Sequence, residues 1–303
     1  MQALLPLFTA NILPIFLTAG AGFLLGRFVD VEPRTVSRVC FYIFSPCLVF
    51  TLITSSQIGG DDFLLIMSYA VAATLLVGLL AALVGIAMRM ERRLLIAVVI
   101  TAMFANSGNF GLSVNNFAFG EDALAYASIF FATSSILVYT VGVFVASMGE
   151  ASLKEALIGL LRVPAIYGLA LAFIFNAFDL SLPLPLDRSV NLLAHAAIPS
   201  MLVLLGLQLQ RVVWNGQVRA MILANGMRLA MAPIIAIGLS ILFGLQGPAR
   251  QAGILEASMP TAVFATILAT EYDVEPAFVT TVVTTTTLLS PLTLTPLLAF
   301  LGT

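Results

Sequence analysis

The chain has 303 residues, 60% of them hydrophobic and 9% charged, with 13 Lys+Arg against 15 Asp+Glu and a formal net charge of −2; its mean hydropathy is +1.08. Soluble chains carry roughly 25% charged residues, so a water-facing globular domain is excluded and a multi-pass membrane chain is expected. No basic tract of the kind nucleic-acid binding needs is present, and at about 20 to 25 residues per span ten spans leave no length for a sizeable soluble domain.

The N-terminus lacks the positive flank of a signal peptide and runs into a full-length apolar stretch, which reads as a retained first helix. Apolar runs then follow at about 5–26, 35–56, 62–88, 93–118, 122–147, 153–178, 188–209, 218–244, 249–270 and 276–301. In the first, Gly22 and Gly26 form a GxxxG pair that permits close helix contact. In the second, Cys40 and Cys47 lie about 10 Å apart along one helix axis, too far for a disulfide, and are expected to pack. The fourth runs from Met103 to Asn116 with Asn106, Asn109, Asn115, Asn116, Gly108 and Gly111, all poor helix formers. Unpaired amides are costly in lipid, so this segment must line something polar. The seventh carries the only histidine, His195, four residues before Pro199; without a second such ligand, a packed neutral imidazole is expected.

Arg228 lies about ten residues into the eighth span, beyond snorkelling reach. It either lends positive charge to an anion site or neutralises Glu256. In the ninth, Glu256, Ala257, Ser258, Met259, Pro260, Thr261 form a second polar break, where Pro260 removes a donor and frees a carbonyl one turn back. Glu256 is the one acidic side chain deep in a span, a candidate for holding a cation or carrying a proton, with a structural pair to Arg228 or Arg250 as the alternative. The tenth holds Thr280, Thr281 and Thr284 to Thr287, mostly bonded to carbonyls a turn earlier.

Positive charge sets the orientation. Arg27, Arg34, Arg38, Arg89, Arg92, Arg93, Lys154, Arg211 and Arg219 fall on one side, Arg188 and Arg250 on the other. Nine against two, with the deeper Arg162 and Arg228 left out, predicts that the first side is cytoplasmic and that both termini lie outside.

The halves also correspond. Pro14 answers to Pro164, Pro46 to Pro199, Asn106–Asn109 to Ser258–Thr261, and Thr133, Ser134, Ser135 to Thr285, Thr286, Thr287, at offsets of 150 to 153. Chance matching in a low-diversity apolar chain is the alternative. Five spans per repeat, an odd number, invert the second repeat. The expected fold is therefore an all-α membrane protein of ten transmembrane helices, two inverted five-helix repeats (1–148 and 149–303), with crossed broken helices 4 and 9 at the substrate site. Half-helix N-termini at such a crossing attract an anion and freed carbonyls a cation; kinked structural helices glued by Asn are the bland alternative.

Enzyme signatures (HExxH, GxSxG, CxxC, P-loop, GxGxxG) are absent. An anion channel is the rival from another class, but the breaks lie in two unlike helices with no charge ring or pore-loop pattern. The residues point to a secondary carrier of small organic anions, malonate- or malate-like dicarboxylates first and amphipathic monocarboxylates second. Substrate contacts are expected from Asn106, Ser107, Asn109, Ser258, Pro260, Thr261 and Arg228. A coupling ion, sodium or a proton, is expected at Glu256 with Ser107, Asn109, Thr133 and Ser134 as further oxygen ligands. No other metal or cofactor is expected.

Several stretches resemble one family. These are Asn106 followed by Gly111 and then GEDALAYASIFFATSSILVYTVG, and Ser258, Met259, Pro260 followed by ATEYDVEPAFVTT, with IFSPCLVF around Pro46 and MRLAMAP around Arg228. They are similar to the auxin efflux carrier family and its bacterial dicarboxylate carriers. The resemblance implies that helices 4 and 9 cross at a carboxylate site around Asn106 and Pro260. It also implies an elevator in which helices 1, 2, 6 and 7 form a scaffold and helices 3–5 and 8–10 move, and a homodimer joined through the scaffold, to which the small-residue face of helix 1 also points. Location in the cytoplasmic membrane, in contact with lipid, follows. Two features depart from the family or look elsewhere: Ser113 stands where the family often has proline, and Glu256-Ala257-Ser258-Met259 is similar to the bile-acid sodium symporters, whose glutamate binds sodium.

Overall fold

The computed structural model describes residues 4–56, 58–147, 163–210 and 216–302. Among these, helices account for nearly all of the chain and no strand forms. In chain order they are α1 Leu4–Phe28, α2 Pro33–Ser55, α3 Gly60–Ala87, α4 Arg92–Met103, α5 Ser107–Ala146, α6 Pro164–Ala177, α7 Leu184–Gln208, α8 Val218–Leu242, α9 Gly247–Ala257, α10 Phe264–Glu271 and α11 Pro276–Leu301. Seven of them (α1, α2, α3, α5, α7, α8 and α11) are long and apolar enough to cross a membrane. The chain is a multi-pass, all-helical membrane protein. The expected repeat boundary at 148/149, the start of the sixth span, Lys154, Arg162 and Arg211 lie outside the described residues.

Proline shapes the spans in a recurrent way. Pro14, Pro46 and Pro233 each stand two residues after the end of a widened π turn: Phe8–Ile12, Cys40–Phe44 and Met227–Met231. The pyrrolidine ring clashes with the carbonyl four residues back, and that residue (Ala10, Tyr42 or Leu229) is the middle of the π turn each time. Widening the turn relieves the clash without ending the helix. In α5 the break is different. Gly120, at φ 75°, separates a polar N-terminal part from a long buried second part.

Packing falls into two groups. In one, α1 lies along α7, α6 along α2, and α2 along α7; in the other, α3, α4, α5, α8 and α9 pack on one another, with α10 on α11. The α1–α7 approach is backbone to backbone: a Cβ at Gly206 would overlap the Ala19 carbonyl and come within 2.6 Å of the Phe23 nitrogen. Thus the small-residue face of α1 is occupied within the chain, and Gly22 meets the Val203 backbone from the other side. At one end, Arg93 pairs with Asp273 at 2.9 Å and Gln217 donates to Glu275 at 3.4 Å, so the turns before α4, α8 and α11 share that end.

His195 is not packed inside. It sits on the exposed face of α7 with Nδ1 2.9 Å from the Asn191 carbonyl. In a bilayer the surroundings are as apolar as the core, so apolar neighbours in the chain did not reveal which way the ring points; Leu242 and Leu292, 78% and 73% exposed, make the same point. Cys40 is buried and Cys47 half-buried, both free thiols. The threonines of α11 bond as expected, Thr280 to the Pro276 carbonyl and Thr281, Thr284, Thr286 and Thr287 each to the carbonyl four residues before it.

Candidate functional site

Two helices stop in mid-protein and repair each other. After α4 the chain turns extended at Phe104, and after α9 it turns at Ser258 to Pro260. The two open segments form one antiparallel bridge, Ala105 to Thr261: the Asn106 amide donates to the Pro260 carbonyl at 2.7 Å and the Ala262 amide to the Phe104 carbonyl at 2.8 Å. The Thr261 hydroxyl donates to the Thr101 carbonyl at 2.8 Å, and its amide donates to Thr286 Oγ1 at 3.1 Å. Non-helical backbone at membrane depth is stable only when enclosed by protein in this way.

Beyond the bridge both chains become helical again, as α5 and α10, and their first turns open onto one cavity. Ser107, Gly108 and Asn109 line it from one side and Val263 and Phe264 from the other. The first N–H groups of a helix have no partner within it and carry its positive end, so two such ends converge here. Asn106 is buried, and its Nδ2 has no partner. Ser134, Ser135 and Tyr139 of α5, Ser37 and Ser45 of α2, and Gln208 of α7 add polar groups; Phe41, Phe131, Leu204 and Ile267 add apolar walls. Among the described residues, no Asp, Glu, Lys, Arg or His lines the cavity. Its volume of about 110 Å³ is small beside the roughly 300–1,000 Å³ of pockets for drug-sized ligands.

The opposite ends, the C-termini of α4 and α9, meet at Arg228. Its Nη1 donates to the carbonyls of Ala102 at 2.8 Å and Met103 at 3.4 Å, and its Nη2 donates to the Ala257 carbonyl. The guanidinium is 2% exposed and does not reach the cavity lining.

Glu256, fully buried, has another partner. Asn115 Nδ2 donates to its Oε1 at 2.9 Å and to the Gly111 carbonyl at 3.0 Å, leaving Glu256 Oε2 and Asn115 Oδ1 unbonded. The carboxylate lies flat on Gly111, where a Cβ would come within 2.6 Å of Oε1. The alternative of a Glu256–Arg228 pair is therefore not what the structure has: the guanidinium is held by helix-end carbonyls, whose partial charges attract it. Nor does Arg250 pair with Glu256; it stacks over the Phe300 ring at 5.4 Å.

Of the expected site residues, Asn106, Ser107, Asn109 and Ser134 gather at the cavity. Pro260 and Thr261 form the bridge behind it, and Ser258 donates to the Ile254 carbonyl at 2.6 Å. Thr133 donates to the Ile129 carbonyl at 2.8 Å and is not in the lining. Among the described residues no hydrogen bond joins Ser107, Asn109, Thr133 or Ser134 to Glu256, whose partner is Asn115. Gln208, Ser37 and Ser45 went unnoticed. Each stands among other polar residues of its helix, Arg34, Thr35 and Arg38 on α2 and Asn191, His195 and Ser200 on α7, so composition does not single it out.

Paired half-helices, mutually satisfied at their breaks and opening on a polar cavity among apolar spans, are the build of a membrane transporter. The family model described as "Membrane transport protein" matches residues 7–298. The chain belongs to this family, that of the auxin efflux carriers. It is 28% identical to an uncharacterized transporter of Methanothermobacter thermautotrophicus over 93% of this chain and 94% of the relative. It is 27% identical to a putative malonate transporter of Rhizobium meliloti over 96% and 94%. It is 28% identical to auxin efflux carrier component 3a of rice, Oryza sativa subsp. japonica, over 41% of this chain and 21% of that protein.

Proposed function

We propose that the protein is a secondary carrier of small organic anions, carboxylates such as malonate or malate, that binds them in the cavity beyond the crossing. One observation carries this reading: two helix N-termini and the unpartnered Asn106 amide face a small cavity that no acidic side chain lines among the described residues. A carboxylate meets donors on one side and no like charge. The likeness to a putative malonate transporter agrees with it. In purified protein, malonate or malate should raise the melting temperature and chloride, sugars and amines should not; stabilisation by cations or sugars alone refutes the reading.

The ten-span inverted repeat is supported by the packing. Exchanging spans 1 with 6 and 2 with 7 turns the α1–α7 contact into the α6–α2 contact, and both are extensive. The half-helix pairs α4/α5 and α9/α10 occupy equivalent places in the two repeats. On this reading the α1, α2, α6, α7 group is the scaffold, and the remaining helices carry the cavity across the cytoplasmic membrane as an elevator, with both termini outside. The cavity lies on the seam between the groups, with Gln208 and Ser45 facing Asn106 across it.

Two copies would join through the scaffold, whose outer faces on α2 and α6 expose Tyr42, Ile43, Tyr167 and Leu171. Single cysteines placed there, with Cys40 and Cys47 replaced, should crosslink into dimers; crosslinks only from the outer face of α5 or α11 would contradict this interface.

Coupling is assigned to a proton on Glu256. One amide donor reaches it, while its own Oε2 and Asn115 Oδ1 stay unbonded, which suits a carboxyl that gains and loses a proton better than a metal ion needing a full set of oxygens.

A further inference from the structure

The three carbonyls that hold Arg228 belong to the last turns of two half-helices, Ala102 and Met103 of α4 and Ala257 of α9. Carbonyls at such ends have no partner in their own helix and carry its negative pole. In transporters with broken helices they are the ordinary ligands of a coupling metal cation. Here a guanidinium stands among them, 2% exposed, with its third nitrogen, Nε, unbonded. The nearby carboxylate, that of Glu256, accepts its hydrogen bond from Asn115 instead. The π turn Met227–Met231, which Pro233 induces, contains Arg228 and sets where its side chain leaves α8.

We propose that Arg228 is a tethered cation. It permanently fills the position where the two half-helix ends would otherwise hold a mobile metal ion, so the charge of the carried anion is balanced by a residue of the chain and no sodium is taken up with it. This rests on the carboxylate-carrier reading above. Arg228 is a positioning residue: it touches neither cavity nor substrate, and it locks α4 to α9 so that the N-termini beyond the crossing stay aligned.

The test compares wild type, Arg228→Lys, Arg228→Met and Arg228→Ala, purified and reconstituted, in buffers whose only cation is N-methylglucamine, sodium or methylguanidinium. Wild type should transport a carboxylate equally in N-methylglucamine and in sodium. Arg228→Ala should be slower by at least about tenfold in N-methylglucamine, and millimolar methylguanidinium or sodium should restore most of the rate, a cation dependence that a merely structural arginine would not confer. Arg228→Lys should exceed Arg228→Met by a similar factor, a comparison that stands even where the alanine variant fails to fold. Sodium stimulation of wild type, full activity of Arg228→Ala without added cation, a folded Arg228→Ala that responds to neither cation, or equal rates for Lys and Met would each overturn the assignment. A melting temperature of Arg228→Ala raised by methylguanidinium, with wild type unmoved, reads the cation site without any substrate. If wild type transports no carboxylate, the carrier reading fails while this shift still decides the Arg228 assignment.

Discussion

Replacing Asn106 by alanine should weaken carboxylate binding about ten- to hundredfold while leaving the protein folded. The side-chain amide of Asn106 is buried at the cavity and its Nδ2 has no protein partner, which makes it a donor placed for a ligand acceptor. Losing one donor to a charged acceptor costs about 1 to 3 kcal/mol, the origin of the expected factor. The fold should survive because the bridge uses the backbone of residue 106, whose amide donates to Pro260 at 2.7 Å. Thermal-shift titration of malonate against wild type and Asn106→Ala reads both quantities. A variant with unchanged affinity, or one that melts many degrees lower without ligand, would reassign the amide to a structural task. Asn116, half-buried further along α5, should matter little.

The second large effect is expected at Glu256. Glu256→Gln keeps the shape and the contact with Asn115 but cannot exchange a proton, so uptake should lose its dependence on an imposed pH gradient while exchange of bound substrate continues. Because Arg228 is held by carbonyls, neutralising Glu256 strips it of no bonded partner, and the variant should fold. Asn115→Ala, which removes the one hydrogen bond to Glu256 and frees the Gly111 carbonyl, should change the same pH dependence and also lower stability by about 1 to 3 kcal/mol. Wild-type transport that ignores a pH gradient, or a Glu256→Gln variant that keeps the response, would remove Glu256 from the coupling step.

Much of this site was legible before any coordinates. Four asparagines with two glycines in one apolar span, and Pro260 at the matching place of another, are incompatible with continuous helices in lipid, and the breaks fall there. The polar half of the crossing, Asn106, Ser107 and Asn109, followed from the same reasoning. The partners of the charges did not. Depth in a span shows that Arg228 and Glu256 need partners but not which, and opposite charge made their mutual pair attractive. Helix-end carbonyls and a neutral amide were available instead, and neither leaves a mark in composition. Asn115 belongs to the same polar run, yet its place opposite Glu256 depends on how α5 and α9 pack. His195 shows the remaining weakness: in a bilayer both faces of a helix are apolar, so periodicity cannot separate the inside from the outside.

The central claim is that one closed carboxylate site alternates between the two sides of the membrane. Counterflow tests it most directly: proteoliposomes loaded with unlabelled malonate or malate and diluted into a trace of the labelled compound. Transient accumulation of label above equilibrium, saturating with outside concentration and strongly reduced by Asn106→Ala, is the predicted result. Equilibration without overshoot at a rate linear in concentration would indicate a channel and contradict the account.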